Sequence, residues 1–303
     1  IHGSPTCVMA FEAATGWLVG APHQGMAAMF TMMNNARLAV GVQGVGVAEA
    51  ALQAAVAYAL DRRQRGRIAD HPDVRRMLAT ARADIFAARA IALSCAVAID
   101  LARATGDAVQ KARAAFLTPI AKAFGSEVGM AVTDMAVQVH GGMGYVEETG
   151  VAQFYRDVRI TAIYEGTNGV QAMDLVGRKL MDGGEAAFRL LDEVEAGAEA
   201  ARAALPELAG EVWSAAETLR EATEWLVSKG SDDRSAGAMA YLRAFARVLG
   251  AHFHLRAALA DPARRPLAEL YVRRLLPQFT AHLAEAKAGA AGLMALDPEG
   301  LAG

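Results

Sequence analysis

The 303-residue sequence has few aromatic residues (6%), two cysteines and a net charge of only −3. Each shortage excludes something. Two cysteines, Cys7 and Cys95, cannot build a disulfide scaffold, and Cys95, set in "IALSCAVAI", reads as a small buried thiol. A charge near balance gives no general electrostatic reason to expect nucleic acid or an anionic membrane as a partner. No uninterrupted apolar run approaches the length of a membrane-spanning helix and no signal peptide is visible, so a cytoplasmic location without membrane contact is expected. No metal site is expected. With 54% hydrophobic residues and so few aromatics, the apolar content is mostly Ala, Val and Leu. That bias favours closely packed helices over a strand-rich core.

What is present is helical periodicity. Met26, Met29, Met33, Leu38, Val42 and Val45 recur at three- and four-residue steps in a first long helix, 25–63. Its methionines are assigned to core filling, with a flexible binding face as the alternative. Gly41, Gly44 and Gly46 each weaken that helix by roughly 1 kcal/mol relative to Ala, so close backbone packing against a neighbour is expected to compensate. A second helix starts at Pro72 and runs to Thr105. A third spans 107–139, with Pro119 as a candidate kink, and stops at "HGGMGY". A connecting segment, 145–163, leads to a Gly-Thr-Asn-Gly turn and a fourth helix through Met181. These elements read as an antiparallel four-helix bundle, 25–182.

"MDGGEAA" then marks a boundary, and 183–303 reads as a second helical domain with helices at 185–204, 207–229, 234–260 and 263–290. Residues 185–233 hold twelve acids and four bases, while 234–274 hold eight arginines and two acids. The simplest expectation is that the two halves face each other. The basic half could alternatively form a phosphate-binding surface. Residues 1–20 resemble one or two short strands and a turn, with nothing sheet-like after them. The expected fold is therefore all-α, with the tail of a β-domain at 1–24. The chain starts at Ile1 rather than Met and is expected to be a piece of a longer protein that holds the strands' partners.

Within "AIYEGTNGVQ" (162–171) a single carboxylate, Glu165, follows apolar and aromatic neighbours and precedes the turn. Gly166 and Gly169 tolerate positive φ, and Thr167 or Asn168 suits a helix N-cap. Those roles account for the turn and leave Glu165 as either a solvated loop residue or a general base made basic by its surroundings.

Three segments taken together, "YALDRRQRGR" (58–67), "QVHGGMGY" (138–145) and "FYRDVRITAIYEGTNGVQ" (154–171), resemble in order and spacing the C-terminal half of the acyl-CoA dehydrogenases. The resemblance covers 1–182, and the helical addition resembles the long-form, methylthiopropionyl-CoA-type members. It implies FAD as cofactor, acyl-CoA as substrate, an electron-transfer flavoprotein as partner and a homodimer or homotetramer. It also implies a role for each matching residue. Glu165 would be the catalytic base. Arg62 would meet the flavin pyrophosphate, and Gln138, Gly141 and Gly142 the adenosine end of a flavin in a neighbouring subunit. Thr167 and Asn168 match flavin-contacting positions. Asn34 and Arg37, on the first helix, match positions near the thioester, and Gly166 would leave room for substrate. The family more often has Asp at the Asn34 position, Phe at Arg65 and Gln at Gly169. His140 is expected to pack at a helix end. Two rival functions follow from the same segments: a flavin-containing, DNA-associated alkylation-response protein, and a helical assembly module without chemistry. The piece by itself is expected to be inactive.

Overall fold

The computed structural model describes residues 3–302. Three long helices, α1 (Gly25–Asp61), α2 (Pro72–Thr105) and α3 (Ala108–His140), form the bundle, with α3 packed against both α1 and α2. Their ends follow local chemistry. Pro72 opens α2, and Gly106 closes it with φ +72°. The Asp107 carboxylate accepts from the Val109 N–H at 2.7 Å and caps α3, which runs unbroken past a buried Pro119.

The α1–α3 crossing depends on missing side chains. A Cβ on Gly41 would lie 2.5 Å from the Ala121 carbonyl oxygen, and one on Gly44 would fall on the Gly125 carbonyl oxygen. Gly125 and Gly129 reciprocate from α3. Gly46 departs from the expectation, because nothing lies within 4 Å of its Cβ position.

The connecting segment contains its own helix, α4 (Val151–Val158). The fourth bundle element is short: α5 (Asn168–Asp174) passes into a π-helical turn, Leu175–Lys179. The longer helices that follow are α6 (Glu185–Ala201), α7 (Pro206–Val227), α8 (Ala238–Ala260) and, past the shorter α9 (Arg265–Leu270), α10 (Gln278–Ala286). The helix α8 touches α2, α5, α6, α7 and α10. One apolar core, from Val45 of α1 to Ala286 of α10, runs through bundle and addition alike. A smaller one joins Ala51, Ala55 and Ala59 of α1 to Ala136 and Val139 of α3.

Several expectations need correcting. Residues 3–24 form no strand and lie exposed, because an unpartnered strand leaves its backbone groups unpaired; Ile1 and His2 lie outside the described residues. Met26 and Met29 are not core but 63% and 38% exposed, since the first turns of α1 extend beyond the bundle's packing. The basic segment packs on the acidic one through α8 but does not mainly pair its charges with it. Arg243 pairs with Glu127 of α3 at 2.8 Å and Arg247 with Asp84 of α2, while among the described residues only Arg273 reaches across, to Glu207. With Arg264–Asp261 and Arg265–Glu269, five of the eight arginines are in ion pairs.

Two helices, α1 and α2, are long and apolar enough to cross a membrane by mean hydropathy, 1.3 and 1.9 over their richest windows, although neither holds an uninterrupted apolar run. Both pack on α3, and Arg82 and Arg89 of α2 reach Glu49 of α1 at 3.0 and 2.8 Å.

Candidate active site

The loop ahead of α5 carries two consecutive residues in the left-handed region, Glu165 (φ +54°) and Gly166 (φ +86°). A non-glycine residue there is strained, so neighbouring contacts must hold it. Gln171, fully buried on α5, donates its Nε2 to the Glu165 carbonyl oxygen at 3.3 Å. A side chain at 166 would also meet Gln171 Nε2 at 2.5 Å, which explains why glycine follows Glu165. The Thr167 hydroxyl accepts from the Val170 N–H at 3.3 Å and caps α5. In front of the loop, Tyr164 donates its hydroxyl to Gln43 of α1. The half-buried Glu165 is thus held at its own carbonyl by Gln171 and preceded by the anchored Tyr164 side chain.

Behind the loop lies a polar cluster that the sequence reading missed. The Asn168 side chain is buried and turned to α3. Its Oδ1 accepts from Lys122 Nζ at 3.0 Å and from the Ser126 hydroxyl at 3.1 Å. Its amide nitrogen donates toward Ser126 and the Ala123 carbonyl. The Asn168 side chain is thus engaged with α3 at both its oxygen and its nitrogen. Lys122 has no exposed surface. Burial, with the nearby Arg37 charge, pushes its ammonium down to about 8, and the Glu165 charge opposes that shift. A lone lysine in the apolar run "TPIAKAFGSEV" was the available signal.

Arg37 and Asn34 lie together on α1: Arg37 Nη1 donates to Asn34 Oδ1 at 3.2 Å. Arg37 is also buried and ion-paired with Asp174 at 3.6 Å, and its Nε has no protein partner.

The remaining candidates gather at the other end of the bundle. Arg62, Gln138, Gly141 and Gly142 line a cavity of about 460 Å³, walled by Val139 and Met77. No atom lies within 4 Å of a Cβ on Gly141 or Gly142, so both glycines face open space. His140 points inward instead, donating its Nδ1–H to the Ala136 carbonyl (2.8 Å) and stacking on Tyr58 at 4.2 Å, the expected helix-end packing. Arg65 holds φ +54° just beyond the end of α1. Arg37 and Arg62 stand 25 residues apart on one helix, roughly 37 Å at its rise per residue. The two groups of candidates therefore do not form one pocket within a single chain.

The chain has counterparts among known proteins. The profile of the family described as "Acyl-CoA dehydrogenase, C-terminal domain" matches residues 23–181, more than half of the chain. The chain belongs to this family. A second profile, "Acetyl-CoA dehydrogenase C-terminal like", matches 190–297. Among curated acyl-CoA dehydrogenases, the 3-methylmercaptopropionyl-CoA dehydrogenase of Ruegeria pomeroyi is 47% identical over 210 residues, 65% of this chain and 36% of that protein. A butyryl-CoA dehydrogenase of Syntrophomonas wolfei is 37% identical over 234 residues, 70% of this chain and 38% of that protein. The chain thus spans little more than a third of these relatives' length. Two solved structures share its fold: Caenorhabditis elegans ACDH-11 in complex with C11-CoA (TM-score 0.74, 21% identity, 84% of this chain, 44% of that one) and a Bacillus anthracis acyl-CoA dehydrogenase complexed with FAD (TM-score 0.73, 21% identity, 89% and 52%).

Proposed function

We propose that the chain supplies the C-terminal part of an FAD-dependent acyl-CoA dehydrogenase in which Glu165 is the catalytic base. The observation that carries this reading is the backbone of Glu165, held in the left-handed region between a Gln171 hydrogen bond and a glycine. Strain of that kind clusters where a side chain must be aimed. In this reading Glu165 takes the proton from the carbon α to the thioester carbonyl. The Glu165 backbone N–H would then stabilise the charge that develops on the thioester carbonyl oxygen, and the Arg37–Asn34 pair would lie near the thioester. Gly166 keeps the approach to the carboxylate clear. FAD, when bound, supplies the acceptor for the hydride that leaves the β carbon, giving a trans-2-enoyl-CoA.

The cavity at the far end fits the nucleotide part of that cofactor. Arg62 offers a fork of donors for pyrophosphate oxygens, Gln138 offers an amide, and Val139 and Met77 offer apolar walls for a flat ring. Its volume falls in the usual range of ligand sites, about 300–1,000 Å³. Because Tyr164 of the base loop meets α1 at Gln43, 19 residues and so roughly 28 Å before Arg62, this cavity would serve the flavin of a second copy, making a homodimer or a dimer of dimers the working assembly. An electron-transfer flavoprotein would reoxidise the flavin, in the cytoplasm. Five of the eight arginines of the basic segment already sit in ion pairs, which weakens the support that this segment gives to the DNA-associated reading.

The deciding experiment is Glu165→Gln in the full-length protein, which keeps shape and removes the base. Flavin content is expected to survive while acyl-CoA-dependent flavin reduction falls at least ~100-fold. Reduction within a few-fold of wild type would place the base elsewhere. The 303-residue chain alone is expected to purify colourless and without acyl-CoA dehydrogenase activity. Tightly held flavin in it would overturn the division of the cofactor site given above.

A further inference from the structure

The buried cluster behind the base loop has no part in the proton transfer just described, yet it is costly to build. A lysine with no exposed surface must lose the hydration of its ammonium. Its hydrogen bond runs to a neutral amide, Asn168 Oδ1, rather than to a carboxylate. The charged groups facing it are Arg37 from α1 and Glu165 from the loop, and Asp174 of α5 faces Arg37 in turn. The cluster is also local in its purpose. Asn168 is the first residue of α5, and its side chain is the only part of the Glu165–Asn168 turn that enters α3's territory among the hydrogen bonds of the described residues. Ser126 and the Ala123 carbonyl complete its partners, so both ends of the amide are satisfied by one turn of α3.

We propose that Lys122 is a positioning residue for the base: through Asn168 it fastens the Glu165 turn to α3, and its positive charge faces the Glu165 carboxylate from behind. The fastening opposes the backbone strain. Two successive left-handed residues relax readily if the helix that follows them is free to shift, and the Lys122–Asn168–Ser126 bonds prevent that shift. The charge favours the ionised form of the carboxylate, the form that accepts a proton. With its ammonium pushed down to about 8 by burial, Lys122 still carries that charge at neutral pH. The inference rests on the reading of Glu165 as base, but the fastening half can be tested without it.

Amide hydrogen exchange of the chain is the first test and needs neither flavin nor acyl-CoA. Lys122→Met keeps the length of the side chain and removes the donor and the charge. Asn168→Ala cuts the same bond from the other side without altering α3. In both, exchange across 163–171 at pH 7 is expected to rise at least tenfold, with α7 unchanged. Wild-type exchange in that segment in Asn168→Ala would overturn the fastening even if Lys122→Met did not fold. The second test separates charge from geometry in the full-length protein. The acid limb of acyl-CoA-dependent flavin reduction is expected to move up by about one pH unit in Lys122→Met and to stay in place in Asn168→Ala, which keeps the charge. Equal movement in both variants, or none in either, would overturn the electrostatic role. Altered exchange with no flavin reduction in wild type would instead count against the dehydrogenase reading alone.

Discussion

Two interfaces hold this molecule together, and they are sealed in opposite ways. Between α1 and α3 the contact is backbone to backbone: Gly41 and Gly44 lie on the Ala121 and Gly125 carbonyls, and no side chain could be added without displacing main chain. Between α2 and α8 the contact is made by large and polar side chains. Asp84 pairs with Arg247, whose guanidinium lies over Phe124 and Tyr271, and His254 meets the Ala83 carbonyl at 3.0 Å while stacking on Tyr271. The first interface brings α1, with Arg37 and Arg62, to a fixed height on α3, with Lys122 and Gln138. The second fastens the C-terminal helices and carries no candidate for chemistry. A glycine contact fixes geometry because sterics rise steeply, whereas a buried polar contact is conditional on every partner being present.

That contrast can be broken most forcefully on the polar side. Asp84→Ala leaves Arg247 buried without its carboxylate, and the expected loss of unfolding free energy is ~3–5 kcal/mol by urea titration. A loss below ~1 kcal/mol would mean that the pair is dispensable and that aromatic packing alone seals the interface.

Next comes pH. Burial, reinforced by the Arg256 and Arg113 charges, holds His252 down to about 4, and burial does the same to His254. Both folded values lie below the ordinary histidine value, so the unfolded chain binds more protons between them. Stability is therefore full above about pH 6.5 and is lost as pH falls toward 4, by roughly 3 kcal/mol per histidine at most. Urea midpoints measured from pH 7.5 to 4.5 check the sign, and His252→Gln should flatten part of the slope. A midpoint that rises on acidification would reverse the assignment.

On the glycine side the effects are smaller and opposite in sign at neighbouring positions. Gly44→Ala forces a methyl group onto the Gly125 carbonyl, and overpacking should outweigh the gain in helix propensity for a net loss of roughly 1–2 kcal/mol. Gly46→Ala meets nothing within 4 Å and should stabilise by about 0.5–1 kcal/mol. Thermal unfolding of the two variants side by side sharpens the comparison, and equal shifts would show that the α1–α3 contact yields.

The readings that succeeded rest on local rules. Helix limits at Pro72, Gly106 and Gly141 follow from capping and backbone freedom, and Thr167 caps α5 as its place in "EGTNG" implies. Cys95, read as a buried thiol, has no exposed surface, and burial pushes its thiol up. Failures came where a residue's meaning depends on a distant partner. The methionines of α1 have core-like spacing, but the chain places nothing over Met26 or Met29. The charge blocks of 185–233 and 234–274 look complementary in one dimension, yet Arg243 and Arg247 pair with Glu127 and Asp84, more than a hundred residues earlier.

By itself, then, the sequence determined the all-helical class, the ends of the long helices and the turn around Glu165, because caps, glycines and apolar periodicity act over a few residues, while the family was legible only through the resemblance of three motifs. Only the tertiary structure decided which of Gly41, Gly44 and Gly46 touch backbone, that Lys122 and Asn168 meet behind the base loop, and that Arg62 and Glu165 stand at opposite ends of the bundle. Those outcomes depend on how whole helices cross, a property of the packed core rather than of any short stretch of residues.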